Sequence, residues 1–213
     1  MRIAILLFDK MTALDAVGPY EVLRFAADAE VVFTGKKVGE VRAGAGTLGL
    51  VVDRPLADVP SADIVLVPGG PGQVDLMDDD EVHEWLRQVD RTSSWTTSVC
   101  TGSLVLAAAG LLTGRKATSH WLAMDQLPAH GVVPTEQRVV FDGKYVTAAG
   151  VSAGIDMALE LANRIAGDIA AQAIQLGLEY DPQPPHDAGS PRKAPAEIVA
   201  NMRENSRFFL QET

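Results

Sequence analysis

The single cysteine, Cys100, is the side chain in this sequence best suited to covalent chemistry. It lies in TTSVCTGSLVLAAAGLL, where a β-favouring run ends and an alanine- and leucine-rich run begins. Ligands of open α/β sheets bind beyond the carboxyl ends of the strands, and the start of a helix favours an anion there. Such a position lowers the pKa of a thiol. The pattern predicts a nucleophile on a strand-to-helix turn, with a buried, inert cysteine as the alternative.

A glycine turn could supply hydrogen-bond donors beside that thiol. The stretch VLVPGGPG ends a second predicted strand, and glycines let backbone N–H groups approach a ligand closely. The N–H groups of Gly70 and Thr101 could then form an oxyanion hole beside Cys100. When the glycine stretch is taken alone, an ordinary turn between a strand and a helix is the simpler interpretation.

A carboxyl group could complete the site as its acid or base. Asp15 lies in LFDKMTALDAVGPYEVL, just before the helix that is predicted after the first strand. Its carboxyl group could exchange protons with the thiol or with a substrate. A helix N-cap is the alternative role for Asp15. By sequence alone, Asp9 and Glu21 are rivals for the role of the acid.

Composition limits the classes of function. The 213 residues include 28 acidic and 18 basic side chains, a net charge of −10, which disfavours binding to a nucleic-acid backbone. One cysteine excludes an intrachain disulfide and a multi-cysteine metal site, and it favours the reducing cytoplasm. The apolar run from Ile3 to Phe8 is too short for a secretory signal or a membrane span. We therefore expect a cytoplasmic protein with no nucleic-acid or membrane partner.

Short buried strands alternate with helices along the chain. Strands are predicted at 3–8, 30–34, 63–68 and 94–99, helices at 17–26, 80–91, 102–109, 152–165 and 168–178, and strand pairs at 42–52 and 138–147. This alternation predicts a doubly wound α/β fold, in which helices cover both faces of a mostly parallel sheet. We expect one domain over residues 1–213, with residues 180–213 as a peripheral proline-rich segment and C-terminal helix.

Several stretches together resemble a known family. VPGGPG, SVCTGSLVLAAAGLLTGRKATSHW and AAGVSAGIDMALELA are similar to the PfpI/ThiJ (DJ-type) superfamily of cysteine-containing α/β proteins. TALDAVGPYEVL and LEYDPQPPHDAGSP add a resemblance to its isocyanide hydratase branch. The similarity extends from about Arg2 to Met202, with the motifs in the right order.

The resemblance implies a fold, an assembly and an activity. The fold would be flavodoxin-like, the assembly a homodimer, and the activity that of a hydro-lyase, a lyase that converts an isocyanide to the N-substituted formamide through a covalent thioimidate. Matching motif positions make Cys100 the nucleophile, Asp15 its acidic partner, Thr101 a supporting residue and Gly70 a backbone donor. The resemblance implies no metal and no organic cofactor.

The chain also departs from part of that superfamily. Protease-like members carry a histidine directly after the cysteine, where this chain has Thr101, so a Cys-His dyad of that kind is absent. His120 in ATSHW could instead lie behind the site as a structural histidine. Gly69, Gly150 and Ser152 are expected in the pocket wall or just behind it.

Three other functions stay open. Glyoxalase-type hydration of 2-oxoaldehydes, another cysteine-dependent activity of the superfamily, could use the same thiol. A sensor domain related to AraC-type regulators would bind a ligand without turnover, but only about 30 residues follow Tyr180, too few for the DNA-binding module of those regulators. An oxidation sensor is the third, because an accessible thiol of low pKa is readily oxidised to sulfenic acid.

Overall fold

Strands alternate with helices in this computed structural model, which describes residues 1–26 and 29–206. In chain order the strands of the described residues are β1 (Arg2–Leu6), β2 (Glu30–Gly35), β3 (Gly39–Ala43), β4 (Leu48–Val52), β5 (Arg54–Pro55), β6 (Ile64–Val67), β7 (Trp95–Val99), β8 (Lys116–Ala117), β9 (Val133–Pro134), β10 (Val139–Asp142) and β11 (Tyr145–Ala148). Seven form the central sheet in the order β10-β11-β7-β6-β1-β2-β5. Every neighbouring pair in this sheet is parallel except β10 and β11.

The sequence of each central strand explains its place in the sheet. All four residues of β6 (IVLV) are buried apolar side chains, as is usual for parallel strands covered on both faces. Strand β7 is different because WTTSV carries three buried hydroxyl groups. Strands β1, β6, β7 and β11 run parallel, so their carboxyl ends lie at one edge of the sheet. The loops that follow them meet there.

The α-helices of the described residues are α1 (Ala13–Leu23), α2 (Gln73–Leu76), α3 (Asp80–Asp90), α4 (Gly102–Ala108), α5 (Ala153–Ala166), α6 (Asp168–Gly177) and α7 (Ala196–Glu204). Helices α1 to α6 pack in two groups. Helix α5 contacts α1 and α6, whereas α4 contacts α2 and α3. Amphipathic spacing explains α3, whose Val82, Trp85, Leu86 and Val89 are buried. The predicted fold class is confirmed: helices cover both faces of a mostly parallel sheet.

Most predicted elements are found with shifted ends, and α1 needs a correction. We expected this helix to begin at Val17, but it begins at Ala13. Pro19 therefore lies inside the helix, where it lacks the N–H that would bond to the carbonyl of Asp15. Burial of Ala16, Pro19 and Val22 against the rest of the molecule offsets that loss. Asp15 consequently belongs to the first turn of α1 and does not precede it.

The C-terminal part has little regular structure before its last helix. No helix or strand is present from residue 179 to residue 195, and α7 follows. The Tyr180 hydroxyl donates a hydrogen bond to Asp156 Oδ1 at 2.8 Å, which ties the start of this segment to α5. Residues 207–213 of the predicted peripheral segment lie outside the described residues. None of the helices that the structure describes is both long and apolar enough to cross a membrane.

Candidate active site

Cys100 occupies a strained turn between β7 and α4. Its φ of 58° lies in the left-handed region, which costs an L-residue other than glycine about 1–2 kcal/mol. Its N–H donates to the carbonyls of Ala148 and Ala149, at 3.1 and 2.8 Å. Only 1% of the residue is exposed. The predicted strand-to-helix turn at Cys100 is confirmed, and these contacts hold it in place.

Asp15 lies in the same interior, at 0% exposure. Its Oδ2 accepts the Gly69 N–H at 3.0 Å, and its carboxyl group also interacts with the Cys100 side chain. Among residues 1–26 and 29–206, Oδ1 has no partner in strict hydrogen-bond geometry. Burial raises the pKa of this carboxyl from 3.8 to about 7, against the opposing effects of Gly69 and Cys100. Asp15 can therefore both take up and release a proton near neutral pH.

The two rival acids are engaged elsewhere. Asp9 is exposed, and its Oδ1 accepts the Arg42 N–H at 2.8 Å. Glu21 pairs with Arg24 one helical turn along α1, at 2.8 Å. The N-cap interpretation of Asp15 is wrong, because the N-cap position belongs to Thr12. The Asp15 carboxyl reaches across to the turn after β6 and leaves the start of α1 uncapped by any side chain.

The glycine turn after β6 packs directly against the cysteine turn. A Cβ on Gly69 would lie 2.4 Å from the Thr101 backbone nitrogen and 2.9 Å from Cys100 Cβ, so only glycine fits there. Gly70 has a φ of +123°, and its N–H donates to Thr101 Oγ1 at 3.0 Å. This N–H, predicted as an oxyanion donor, thus holds the Thr101 side chain beside the thiol.

The Cys100 sulfur is contacted by two backbone donors, the N–H groups of Thr101 and Val151. Val151 was not among the residues expected at the site. The available signal was its place in AAGVSAG, in the turn after the strand β11 that pairs with β7. Burial raises the pKa of the Cys100 thiol well above its usual range, and the charge of Asp15 raises it further, whereas the two N–H groups lower it.

This direction corrects the sequence-based expectation for the thiol. A place at the start of a helix was expected to lower its pKa, and the Thr101 N–H does act in that sense. Removal from water disfavours the thiolate more strongly. Burial and the charge of Asp15 thus both favour the neutral thiol over the thiolate in the resting site.

His120, Gly150 and Ser152 lie in or beside the loop that follows β11. His120 Cδ2 lies 3.0 Å from the point where a Cβ on Gly150 would stand, and His120 Nδ1 accepts the Leu122 N–H at 3.3 Å. Burial lowers the pKa of His120 to about 4, so the ring is neutral at pH 7. Ser152 is exposed, and its hydroxyl accepts a hydrogen bond from Arg138 at 3.2 Å. His120 thus packs against Gly150, the residue that precedes Val151 in the chain.

The described residues contain no group of three or more His, Cys, Asp or Glu side chains arranged to hold a metal ion. The groups that meet at Cys100 are a thiol, a carboxyl group and backbone N–H donors. A sulfur nucleophile next to a group that can move one proton suits addition to a small electrophile. It also suits hydrolysis of the resulting adduct.

Comparisons with known proteins place this site in a family. Residues 1–164 match the DJ-1/PfpI family. An isonitrile hydratase of Pseudomonas putida is 43% identical over 211 residues, which are 99% of this chain and 92% of that protein. The crystal structure of a ThiJ/PfpI family protein from Pseudomonas syringae superposes with a TM-score of 0.94 at 37% identity, over 98% of this chain and 86% of that one.

A shorter match concerns a protein of another kind. An HTH-type transcriptional regulator of Pseudomonas aeruginosa is 44% identical over 80 residues, which are 37% of this chain and 24% of the regulator. The match to the hydratase covers nearly all of both chains, and the structural match is as extensive. This chain therefore belongs to the DJ-1/PfpI family.

Proposed function

We propose that this protein is a hydro-lyase that hydrates an isocyanide, R–N≡C, to the N-substituted formamide, R–NH–CHO. The observation that carries the proposal is that the buried Cys100 and the buried Asp15 meet at Gly69, which donates its N–H to the Asp15 carboxyl and packs against Cys100. Each of the two side chains also shifts the pKa of the other. The substrate class is supported by the 43% identity to an isonitrile hydratase over nearly the whole chain.

The first half of the reaction forms a carbon–sulfur bond. The thiol gives its proton to the Asp15 carboxylate, and the sulfur attacks the terminal carbon of the isocyanide. Asp15 then passes that proton to the same carbon, which leaves a thioimidate, R–N=CH–S, on Cys100. A carboxyl pKa of about 7 suits both transfers near neutral pH. The N–H groups of Thr101 and Val151, which contact the sulfur, stabilise it while it is charged.

The second half releases the product with water. Asp15, again a carboxylate, removes a proton from water as the water oxygen adds to the thioimidate carbon, and it passes that proton to the nitrogen. The tetrahedral adduct R–NH–CH(OH)–S then collapses: the carbon–sulfur bond breaks, the carbonyl forms, and the hydroxyl proton returns to the sulfur. The sum is one isocyanide and one water converted to one formamide.

Thr101 and Gly70 have a positioning part in this scheme. The Gly70 N–H donates to the Thr101 hydroxyl, which holds Thr101 beside the reacting atoms. The oxyanion role of Gly70 and the pocket roles of Gly69, His120, Gly150 and Ser152 stay predictions. No step of this proposal calls for a metal or an organic cofactor.

An assay with an alkyl isocyanide tests the proposal. Formamide is followed by NMR, and acid-quenched protein is examined by mass spectrometry for one isocyanide bound to Cys100. The Cys100→Ala variant is expected to show neither turnover nor adduct. Full activity in Cys100→Ala would overturn the mechanism. Turnover of methylglyoxal but not of isocyanides would favour the glyoxalase alternative, and ligand binding without turnover a sensor.

We propose further that two copies form a homodimer, as the family resemblance implies. Helix α6 carries the two most exposed large apolar side chains of the described residues, Ile169 at 86% and Leu176 at 80%. They are seven residues apart and so lie on one face of the helix, which a second copy would cover. Light scattering should show a dimer that Ile169→Asp converts to monomer, whereas Val38→Asp, at an exposed position between β2 and β3, should not. A monomeric wild-type protein would contradict this.

Two expectations from the sequence stay predictions. The cytoplasmic location rests on cysteine usage and on the shortness of the apolar run from Ile3 to Phe8, and fractionation of the cells that produce the protein measures it. A single domain over residues 1–213 rests on the absence of a linker in the sequence. Limited proteolysis is expected to leave one resistant fragment that contains both Asp15 and Cys100.

A further inference from the structure

The peptide group that joins Cys100 to Thr101 is held on both sides. Its carbonyl oxygen accepts two hydroxyl groups, Ser119 Oγ at 3.1 Å and Ser103 Oγ at 3.3 Å. Its N–H, that of Thr101, contacts the Cys100 sulfur. Both serines are buried. One peptide group therefore has two serine hydroxyls on its carbonyl oxygen and the Cys100 sulfur on the side of its N–H.

The two serines reach this carbonyl from different parts of the molecule. Ser103 belongs to the first turn of α4 and is only three residues from Cys100. Ser119 comes from the segment after β8, and its own N–H donates to Met124 Sδ at 3.2 Å. The residue before it, Thr118, donates its N–H to Thr147 Oγ1 of β11 at 2.9 Å. Ser119 thus connects the cysteine turn to a separately anchored segment.

This arrangement has an electronic and a geometric effect. Hydrogen bonds in a chain polarise one another in a low-dielectric interior, so a donor on the carbonyl strengthens the N–H of the same peptide group. The left-handed backbone of Cys100 also needs restraint from outside the turn. A hydroxyl anchored elsewhere in the fold supplies that restraint and keeps the Thr101 N–H directed at the sulfur.

We propose that Ser119 is a positioning residue for the nucleophile: its hydroxyl orients and polarises the Cys100–Thr101 peptide group, which in turn stabilises the Cys100 thiolate. This inference rests on the proposed function in so far as Cys100 is taken as the reacting thiol. Ser119 itself does not touch the sulfur or the substrate. It acts through the peptide group.

The titratable groups around the thiol are few. Asp15, from α1, interacts with it directly. His120, from the same segment as Ser119, lies against Gly150, and its lowered pKa keeps it neutral at and above neutral pH. The turns after β6 and β11 approach with backbone groups from Gly69 and Val151. A change in the pH dependence of thiol reactivity on removal of Ser119 can therefore be assigned to the peptide group, provided that Asp15 is intact.

The test is the rate of Cys100 alkylation by iodoacetamide from neutral to alkaline pH, followed by mass spectrometry of the full chain. Ser119→Ala is expected to lower the rate near neutral pH about fivefold, the effect of one net hydrogen bond, and to move the profile to higher pH. Ser119→Thr keeps the hydroxyl and should restore the wild-type profile. Ser98→Ala is the matched control, because Ser98 is a buried serine on β7 whose Oγ has no hydrogen-bond partner in the described part of the chain.

The outcomes separate this proposal from the proposed function. Equal profiles for Ser119→Ala and Ser98→Ala would overturn the role of Ser119. A shifted profile with no isocyanide turnover in wild-type protein would leave that role standing and overturn the function. If Ser119→Ala does not fold, Ser103→Ala removes the other hydroxyl from the same carbonyl. Its profile should move in the same direction by a smaller amount, and an unchanged profile would count against the proposal.

Discussion

Two buried carboxyl groups lie near opposite ends of strand β7, and the fold treats them differently. At the amino end, Asp90 accepts hydrogen bonds from Thr96 at 2.6 Å and Tyr145 at 3.0 Å and pairs with Lys144 at 3.1 Å. At the carboxyl end, Asp15 accepts one N–H, and its Oδ1 is left without a hydrogen-bond partner in the described residues. Similar side chains thus have very different surroundings, separated by the length of one strand.

The difference fits the proposal that Asp90 serves the fold and Asp15 the chemistry. A buried carboxyl with all its partners is stabilised as an anion. One with few partners is destabilised as an anion, and burial accordingly raises the pKa of Asp15 to about 7. Such a group costs stability, so its retention next to a thiol points to function. Four predictions test this comparison.

The largest expected effect is on activity. Asp15→Asn should lower isocyanide turnover about 10²- to 10⁴-fold, because an amide cannot carry the proton between sulfur, carbon and water. Formamide production is the measurement. Asp90→Asn is the matched control and should keep most of the activity, since it lies at the other end of β7, roughly 13 Å away at 3.3 Å per residue. Equal losses of turnover in the two variants would show that Asp15 and Asp90 do not differ in their contribution to catalysis.

The second prediction concerns pH and stability. The folded-state pKa of Asp15, about 7, lies above the unfolded value of 3.8. Between these values the folded protein keeps a proton that the unfolded chain has lost, so raising the pH favours unfolding. The difference between the two pKa values corresponds to a loss of about 4 kcal/mol in the free energy of unfolding. This loss is absent at acidic pH and complete above pH 7.

Urea unfolding of the wild type and of Asp15→Asn across this pH window measures the effect. The free energy of unfolding of the variant, relative to the wild type, should rise with pH, because the amide has no proton to lose. The comparison of the variant with the wild type at each pH cancels the contributions of the titrating groups that do not interact with Asp15. A difference that does not change with pH would show that Asp15 is not the group whose pKa is raised.

The third prediction is a loss of stability at the amino end. Asp90→Asn should lower the free energy of unfolding by about 2–3 kcal/mol, since it weakens hydrogen bonds to a charged acceptor and an ion pair. Lys144 stays partly exposed, which limits the loss. Urea unfolding at pH 7 measures it. If Asp90→Asn proved more stable than the wild type, as is expected of Asp15→Asn at that pH, the two carboxyl groups would not differ in the way proposed.

The smallest effect is expected from one hydroxyl at the amino end. Tyr145→Phe removes the bond to Asp90 Oδ2 and should cost about 1 kcal/mol, because Thr96 and Lys144 still contact that carboxylate. Thermal unfolding gives the loss, and isocyanide turnover should be unchanged. A loss of activity with unchanged stability would place Asp90 and its partners in the catalytic machinery.

Much of the fold could be predicted because its signals are local. The apolar run of β6, the helical spacing of α3 and the glycine turn between β10 and β11 each specify an element within a few residues. The two-residue strands β5, β8 and β9 were not predicted. They consist of a few backbone hydrogen bonds that tertiary packing brings together, with no periodic pattern of their own. The start of α1 was misplaced because packing of the helix overrides the helix-breaking tendency of Pro19.

Some residues of the candidate site could likewise be predicted from local sequence signals, and others could not. Cys100 and the glycine turn at Gly69 and Gly70 could be found because a reactive residue type and two glycines stand at strand ends. Asp15 could not be preferred over Asp9 from the residues alone, since both lie close to the first strand. Val151 contributes only its backbone N–H, which any non-proline residue has, so no side-chain pattern identified it.

By itself, the sequence determined the order of strands and helices, the single thiol and the glycines that allow two turns to touch. Tertiary structure alone decided the properties that make these residues a candidate site: which carboxyl group lies near the sulfur, which N–H groups contact it, and how strongly each group holds its proton. The physical reason is that the pKa of a buried group depends on removal from water and on neighbours distant in the chain. Asp15, Gly69, Cys100 and Val151 become neighbours only when β1, β6, β7 and β11 align their carboxyl ends.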